Sequence, residues 1–336
     1  MEYSILYLSP KDVNELGVND MRAAMHDVEQ TYLLIGRGDA LTPTKVAMEW
    51  PEKIYGPQNR INAMPGYLGG EINMAGIKWI GSNVDNPKYG LPRASALVIL
   101  NDPLTKLPVC VMDSTRVSAM RTGAAGGVGV KYLAKKDAST LLMIGAGVIG
   151  RAQVEAACCA RDIKRIIVND IFPEKAKRFA EKLTTDLGIP AEATTEPEKA
   201  VFEADILITA TVTTTPIVNE DWIHPGLTYI HIGGPECTAG VIKKADKIFT
   251  DDLEGIIHRG LTSLADAILN GDIHREDTSG NLNQVMLEKI SGRENDDQFI
   301  FYGSVGIGAT DIAISSRIYR KALVEGRGIR LPYEIE

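Results

Sequence analysis

The stretch Thr140-Leu-Leu-Met-Ile-Gly145-Ala-Gly147-Val-Ile-Gly150 decides the fold. It carries G-x-G-x-x-G directly after an apolar run and directly before a helical pattern. Asp170 ends the next apolar run, 25 residues after Gly145. Strand, glycine turn, helix and a downstream acid together form the dinucleotide-binding fingerprint. Each part has a physical task. Gly145 permits the tight turn, Gly147 leaves room for a pyrophosphate, and Gly150 lets the helix approach the sheet. Val148 and Ile149 open the helix, whose free N–H groups and positive dipole end favour phosphate. Asp170 can accept hydrogen bonds from ribose hydroxyls. Its charge opposes a 2′-phosphate, and Ile171 and Phe172, not Arg or Lys, follow it. NAD is therefore favoured over NADP.

Outward from this turn, strand and helix alternate. Ser139–Ile144 precedes a helix over Val148–Ala160, and Arg165–Asn169 precedes one over Pro173–Leu187. Short strands follow near Ala191–Thr195, Ile206–Ala210, Thr228–Ile232 and Lys247–Asp251, with a final one at Phe299–Gly303. Such alternation predicts βαβ units and a parallel sheet. Residues 1–113 read differently. Asp20 caps a helix that buries Met21, Met25, Val28 and Tyr32 and stops at Gly36 and Gly38. Extended runs follow at Lys45–Trp50, Arg60–Met64, Gly76–Ser82, Ala94–Leu100 and Pro108–Asp113, the last two joined at Asn101-Asp102-Pro103. Short links between strands predict a mainly antiparallel sheet. Residues 114–135 form a helix leading into the second pattern, and Asp311–Glu325 forms the last helix.

Bulk composition bounds the function. The chain has 336 residues, 44% of them hydrophobic and 24% charged, enough for two domains. A net charge of -8 argues against a nucleic-acid partner, which needs a basic face. No apolar run is long enough to span a membrane, and the first residues lack the basic and apolar regions of a signal peptide. The expectation is a cytoplasmic protein. Cys110, Cys158, Cys159 and Cys237 show neither disulfide nor zinc spacing, so no metal is expected.

Three residues and one glycine-rich run outside the turn stand out chemically. Lys78 lies in the apolar run Gly76-Ile-Lys-Trp-Ile-Gly-Ser82; an interior lysine shifts its pKa readily and suits acid–base work, while a solvent-facing lysine does not. Arg121, among small residues in the helix at 114–135, either grips a carboxylate with two parallel bonds or makes an interdomain ion pair. Glu236, in Gly233-Gly-Pro-Glu-Cys237, falls at the carboxyl edge of a predicted strand; it is either a catalytic acid or base or a solvated loop residue. The run Gly303-Ser-Val-Gly-Ile-Gly308 either approaches the nicotinamide or packs against a helix end, with Asp311 as a helix cap. Histidines 26, 224, 231, 258 and 274 share no catalytic spacing, and His231 reads as structural.

In order along the chain, Arg60-Ile-Asn-Ala-Met-Pro65, Gly76-Ile-Lys78-Trp-Ile-Gly-Ser82, Gly90-Leu-Pro-Arg93-Ala-Ser95, Ile99-Leu-Asn-Asp-Pro103, Ser118-Ala-Met-Arg121-Thr122 and Gly145–Gly150 resemble the ornithine cyclodeaminase/μ-crystallin family. Lys244-Ala-Asp-Lys-Ile, Asp251-Asp252 and Gly303-Ser-Val-Gly with Asp311 continue the resemblance. It implies an α/β fold in which a Rossmann NAD-binding domain, 119–311, is inserted in a discontinuous α+β domain, 1–118 plus 312–336, for substrate and dimerisation. It implies a homodimer, NAD as cofactor, and an amino or imino acid as substrate. By resemblance Lys78 and Glu236 are catalytic, Lys45, Arg93 and Arg121 bind substrate, and Thr122 and Val305 join the turn at the cofactor. Lys45 replaces an arginine common in the family and cannot make its bidentate grip. Arg93 adds a cation where cyclodeaminases carry threonine. That favours a substrate with an extra carboxylate, as in the opine-type N-(2-amino-2-carboxyethyl)-glutamate dehydrogenase, over the cationic ornithine of an ammonia-releasing cyclodeaminase. The family also contains non-enzymatic NAD(P)H-linked binding proteins.

Overall fold

The computed structural model describes residues 2–50 and 59–334. It divides into two compact units, Met1–Arg121 with Ile307–Glu336, and Thr122–Gly306. The first division falls within one continuous helix, Thr115–Leu133.

The first unit is built on a mixed sheet of β1 (Glu2–Leu8), β2 (Ala40–Leu41), β3 (Val46–Glu49), β4 (Arg60–Leu68), β5 (Met74–Ser82), β6 (Ala94–Asn101), β7 (Pro108–Asp113) and the last strand of the chain, β16 (Ile329–Glu334). The order is β16-β1-β7-β6-β5-β4-β2, with β3 paired to β4. Among the described strands of this sheet, only the β1–β7 pair is parallel. The β6–β7 link turns on Asp102, whose Oδ1 accepts from the N–H groups of Leu104 and Thr105 at 3.0 and 2.7 Å. This is the local bonding that makes Asp a turn residue. Asp20 caps the Met21–Arg37 helix, accepting from the Ala23 N–H at 3.0 Å. Met21, Met25, Val28 and Tyr32 are buried along one stripe.

The helix Gly308–Glu325 packs on β4, β5 and β6. The approach is close because both sides lack side chains at the contact. A Cβ on Gly66 would stand 2.8 Å from the Ala309 nitrogen, and one on Gly308 would stand 2.6 Å from the Met64 carbonyl oxygen. The helix begins at Gly308, three residues before the expected start, and its N-cap is Ile307. Asp311 therefore lies inside the helix, facing the sheet of the first unit; its packing groups it with that unit instead of with the nucleotide domain ending at 311.

The second unit carries a parallel sheet of β8 (Thr140–Ile144), β9 (Arg165–Asn169), β10 (Ala191–Ala193), β11 (Ile206–Thr209), β12 (Thr228–His231), β13 (Lys247–Thr250), β14 (Gly280–Asn281) and β15 (Ile300–Gly303). The order is β10-β9-β8-β11-β12-β15-β13-β14. The chain runs outward from β8 through β9 to β10, then returns to β11 on the other side of β8. This is the Rossmann arrangement, with its topological switch point between β8 and β11. Strands buried on both faces read as continuous apolar runs, and Leu141, Leu142, Ile167, Ile206, Leu207 and Ile208 are at most 2% exposed. The helices Leu253–Arg259 and Ser263–Leu269 and the strand β16 are additions to the elements expected from the sequence.

Candidate active site

The turn after β8 has the shape a dinucleotide needs. Gly145 adopts φ 113°, which a residue with a Cβ resists. A Cβ on Gly150 would fall 2.0 Å from the Gly145 carbonyl oxygen, so the helix could not sit where it does. Around Gly147 the space is open: a Cβ there would meet nothing within 4 Å. Gly147 is the N-cap of Val148–Ala160 and no side chain caps that helix among the described residues. The first N–H groups, from Val148, Ile149 and Gly150, are thus left for an anion.

Asp170 closes the turn from below. Its Oδ2 accepts from the Ala146 N–H and from Lys175 Nζ, both at 2.8 Å, and its Oδ1 accepts from the Phe172 N–H at 3.1 Å. Burial pushes this carboxyl up, but the bonds from Lys175 and the two backbone N–H groups outweigh it and hold the pKa below the ordinary value. Lys175 was not anticipated: the first turn of the Pro173–Leu187 helix folds it back onto Asp170. The open cradle, the uncapped helix start and the ionised acid fit NAD. When bound, NAD would rest its pyrophosphate on the turn and its ribose against Asp170.

In the first unit, the sheet and the last helix enclose a charged cluster. Lys78 has no solvent exposure. It lies on β5 opposite Met64 and Val98, while its neighbour Trp79 faces outward and is 43% exposed. Lys78 Nζ lies 3.0 and 2.9 Å from the two carboxylate oxygens of Asp311, and donates to Ser118 Oγ at 3.3 Å. Arg121 Nε stands 3.3 Å from Asp311 Oδ1. It is buried and has no aligned hydrogen-bond acceptor among the described residues. One carboxylate thus serves two cations, and the cluster keeps a positive charge for an anionic ligand. Burial, helped by the charge of Arg121 and opposed by Asp311, lowers the Lys78 pKa to about 8.

The other expected site residues make the following contacts. Glu236 is fully buried inside the nucleotide-binding unit. Its Oε2 accepts from Thr209 Oγ1 at 2.6 Å and from the Gly233 N–H at 2.9 Å, and its Oε1 accepts from the Thr211 N–H at 2.5 Å. These bonds join the end of β11 and the loops after β11 and β12 through one carboxylate. Gly233 allows the fold-back, since a Cβ there would stand 2.4 Å from the Glu236 carboxyl. His231 is buried beside it, with Nε2 3.2 Å from Ser263 Oγ, in keeping with a structural histidine. Thr122 accepts at its carbonyl from Gln153 Nε2 at 2.8 Å. The Val305 N–H donates to buried Asp251 at 2.8 Å; the same carboxylate accepts from the Gly306 N–H and Ser304 Oγ. Lys45 is half-buried and Arg93 exposed, and the structure puts neither in an ion pair with the Lys78 cluster.

Asp311 was given no site role in the sequence, where it read as a cap and as part of the family resemblance. The available signal was an acid inside Ala309-Thr-Asp-Ile-Ala-Ile314, a run too apolar to face water, where a buried carboxylate needs a cation.

A Rossmann unit with an open phosphate turn, and a second unit with a buried lysine poised near neutrality, define a dinucleotide-linked enzyme fold. The chain belongs to the ornithine cyclodeaminase/mu-crystallin family, which it matches over residues 7–326. It is 33% identical to the N-((2S)-2-amino-2-carboxyethyl)-L-glutamate dehydrogenase of Staphylococcus aureus over 334 residues, 98% of this chain and 99% of that one. The structure of Δ1-pyrroline-2-carboxylate reductase from Thermococcus litoralis, in complex with NADH and L-proline, superposes with a TM-score of 0.91 at 32% identity, covering 97% of this chain and 100% of that one. An archaeal alanine dehydrogenase dimer with bound NAD gives 0.89 at 34% identity, with 98% and 99% covered.

Proposed function

We propose that this chain is an NAD(H)-dependent oxidoreductase acting on the Cα–N bond of an amino or imino acid. The observation that carries the reading is the Lys78–Asp311–Arg121 cluster: one buried carboxylate shared by a buried lysine of lowered pKa and an arginine. Arg121 holds the α-carboxylate with its unspent guanidinium donors, and Lys45 assists. Arg93 meets a second carboxylate. Neutral Lys78 takes the proton from the substrate nitrogen as the Cα–H bond is oxidised, and the ammonium returns it when the imine is reduced. Asp311 keeps Lys78 oriented and stabilises its charged form. When bound, NAD supplies the acceptor or donor of the hydride.

The relatives support this reading: each is a dehydrogenase or reductase of an amino or imino acid. A homodimer is part of it. The outer face of the first sheet carries a row of Val46, Trp79 and Leu97 in register, exposed by 63, 43 and 45%. An apolar row of this kind marks an interface. A dependence on NAD also fits a cytoplasmic enzyme. The test is absorbance at 340 nm with NAD+ and amino acids, or NADH and keto acids with amines. Net NADH formation or consumption supports the reading. Ammonia release without net NADH would replace it with a cyclodeaminase, and silence across the panel would leave a binding protein.

A further inference from the structure

We propose that Glu236 is a positioning residue for the nicotinamide half of NAD, acting through the loop after β11, which it closes at both ends. The proposal deepens the NAD-linked reading above and rests on it.

In a Rossmann arrangement the two mononucleotide halves lie on opposite sides of the switch point, outside the carboxyl ends of the strands. Asp170 directly follows β9 and marks the adenosine side. The side of β11 and β12 is left for the nicotinamide half. The loop on that side, Thr211-Val-Thr-Thr-Thr-Pro216, buries little of itself, and Val212 is 51% exposed. Few buried contacts hold such a loop, so the bonds at its ends carry much of its placement. It starts beside the phosphate turn: a Cβ on Gly145 would stand 2.7 Å from the Ala210 carbonyl oxygen and 3.3 Å from the Thr211 methyl carbon. The wall formed by this loop thus begins where the turn ends.

One residue joins both ends of the loop. The Glu236 carboxylate accepts from the Thr211 N–H at 2.5 Å, and the Glu236 main-chain carbonyl accepts from the Ile217 and Val218 N–H groups at 2.9 and 3.0 Å. The carboxylate also accepts from the Gly233 N–H, which registers the loop after β12 to the loop after β11. Glu236 has no exposed surface, so water does not replace a lost bond. The donor set requires a carboxylate. Oε1 meets the Thr211 N–H and Oε2 meets the Gly233 N–H, with Thr209 Oγ1 donating to Oε2 as well. A glutamine offers one oxygen only. Whichever way its amide turns, the NH2 group faces the N–H of Thr211 or of Gly233. Gly233 belongs to the same device, because a Cβ there would stand 2.4 Å from the Glu236 carboxyl carbon.

The experiment is calorimetric titration of the full chain with ADP, which fills only the turn and the Asp170 side, and with NADH. Glu236→Gln weakens NADH about tenfold, the scale of one buried donor left unpaired, and keeps ADP at its wild-type affinity. Gly233→Ala, which pushes the carboxylate from the other side, gives the same pattern. In a Glu236→Ala background, Gly233→Ala adds no further loss, because the carboxylate it strikes is gone. Unchanged NADH affinity in both Glu236→Gln and Gly233→Ala, equal losses of ADP and NADH, or additive losses in the double variant overturn the proposal. Any of these three outcomes, with NADH bound by wild type, removes the role of Glu236 and leaves the NAD-linked reading standing. Wild-type protein that fails to bind NADH removes both.

Discussion

The turn at residues 145–150 works through main chain, and the cluster around Lys78 works through side chains. In the turn, glycines clear space and a helix start supplies N–H groups, so spacing along six residues carries all the chemistry. In the cluster, Lys78, Ser118, Arg121 and Asp311 come from a strand and two helices, and the Lys78–Asp311 pair joins positions 233 residues apart. A site of the first kind is written locally. A site of the second kind exists only once the chain has folded, and it loses its chemistry through any one member.

Substitutions can break each half separately. The largest expected effect is Gly150→Val: its Cβ would invade the Gly145 carbonyl oxygen, and NAD binding measured by NADH fluorescence should vanish. Next is Asp311→Ala, which leaves Lys78 and Arg121 buried without their anion. Breaking a buried pair in this way costs about 3–5 kcal/mol, to be read as a loss in denaturant midpoint. Lys78→Met should be milder, because Asp311 keeps Arg121. Equal losses for the two would contradict the shared-carboxylate geometry.

The pH dependence follows from the lysine. With a pKa lowered to about 8, Lys78 is neutral above that pH and charged below it. Oxidation, which needs the neutral amine as acceptor, should speed up as pH rises through about 8, and reduction, which needs the ammonium as donor, should slow down over the same range. Initial rates in both directions check the opposite signs; parallel profiles would remove Lys78 as the proton carrier. The smallest effect is expected at Asp170. Asp170→Ala should loosen NAD about tenfold, and the released Lys175 should narrow the preference over NADP, measured as a ratio of dissociation constants.

The same contrast explains what was legible. The Asp20 cap, the Met21–Tyr32 stripe and the strand–helix alternation beyond Thr140 depend on near neighbours, and the structure contains them as read. The strand β16 alternates Ile329, Leu331 and Tyr333 with Arg330, Pro332 and Glu334, but Pro332 cannot donate to a ladder and argues against a strand; it forms by pairing with β1 at the other end of the chain. The helices Leu253–Arg259 and Ser263–Leu269 are too short for periodicity, although Asp252 and Thr262 cap them. Glu236 was read at a strand edge where ligands bind, but burial turned its carboxylate toward Thr209 and Thr211. Lys175 escaped notice because only the helix after Asp170 brings it back.

The most direct test compares wild type with Lys78→Met for NADH binding by fluorescence and for turnover at 340 nm on the best amino-acid substrate of the panel. Removal of a positioned acid–base group costs about 10²–10⁴-fold in rate. Turnover should fall by that factor while the NADH dissociation constant stays at its wild-type value. A Lys78→Met protein that turns over at the wild-type rate would show that the buried amine carries no proton in the reaction.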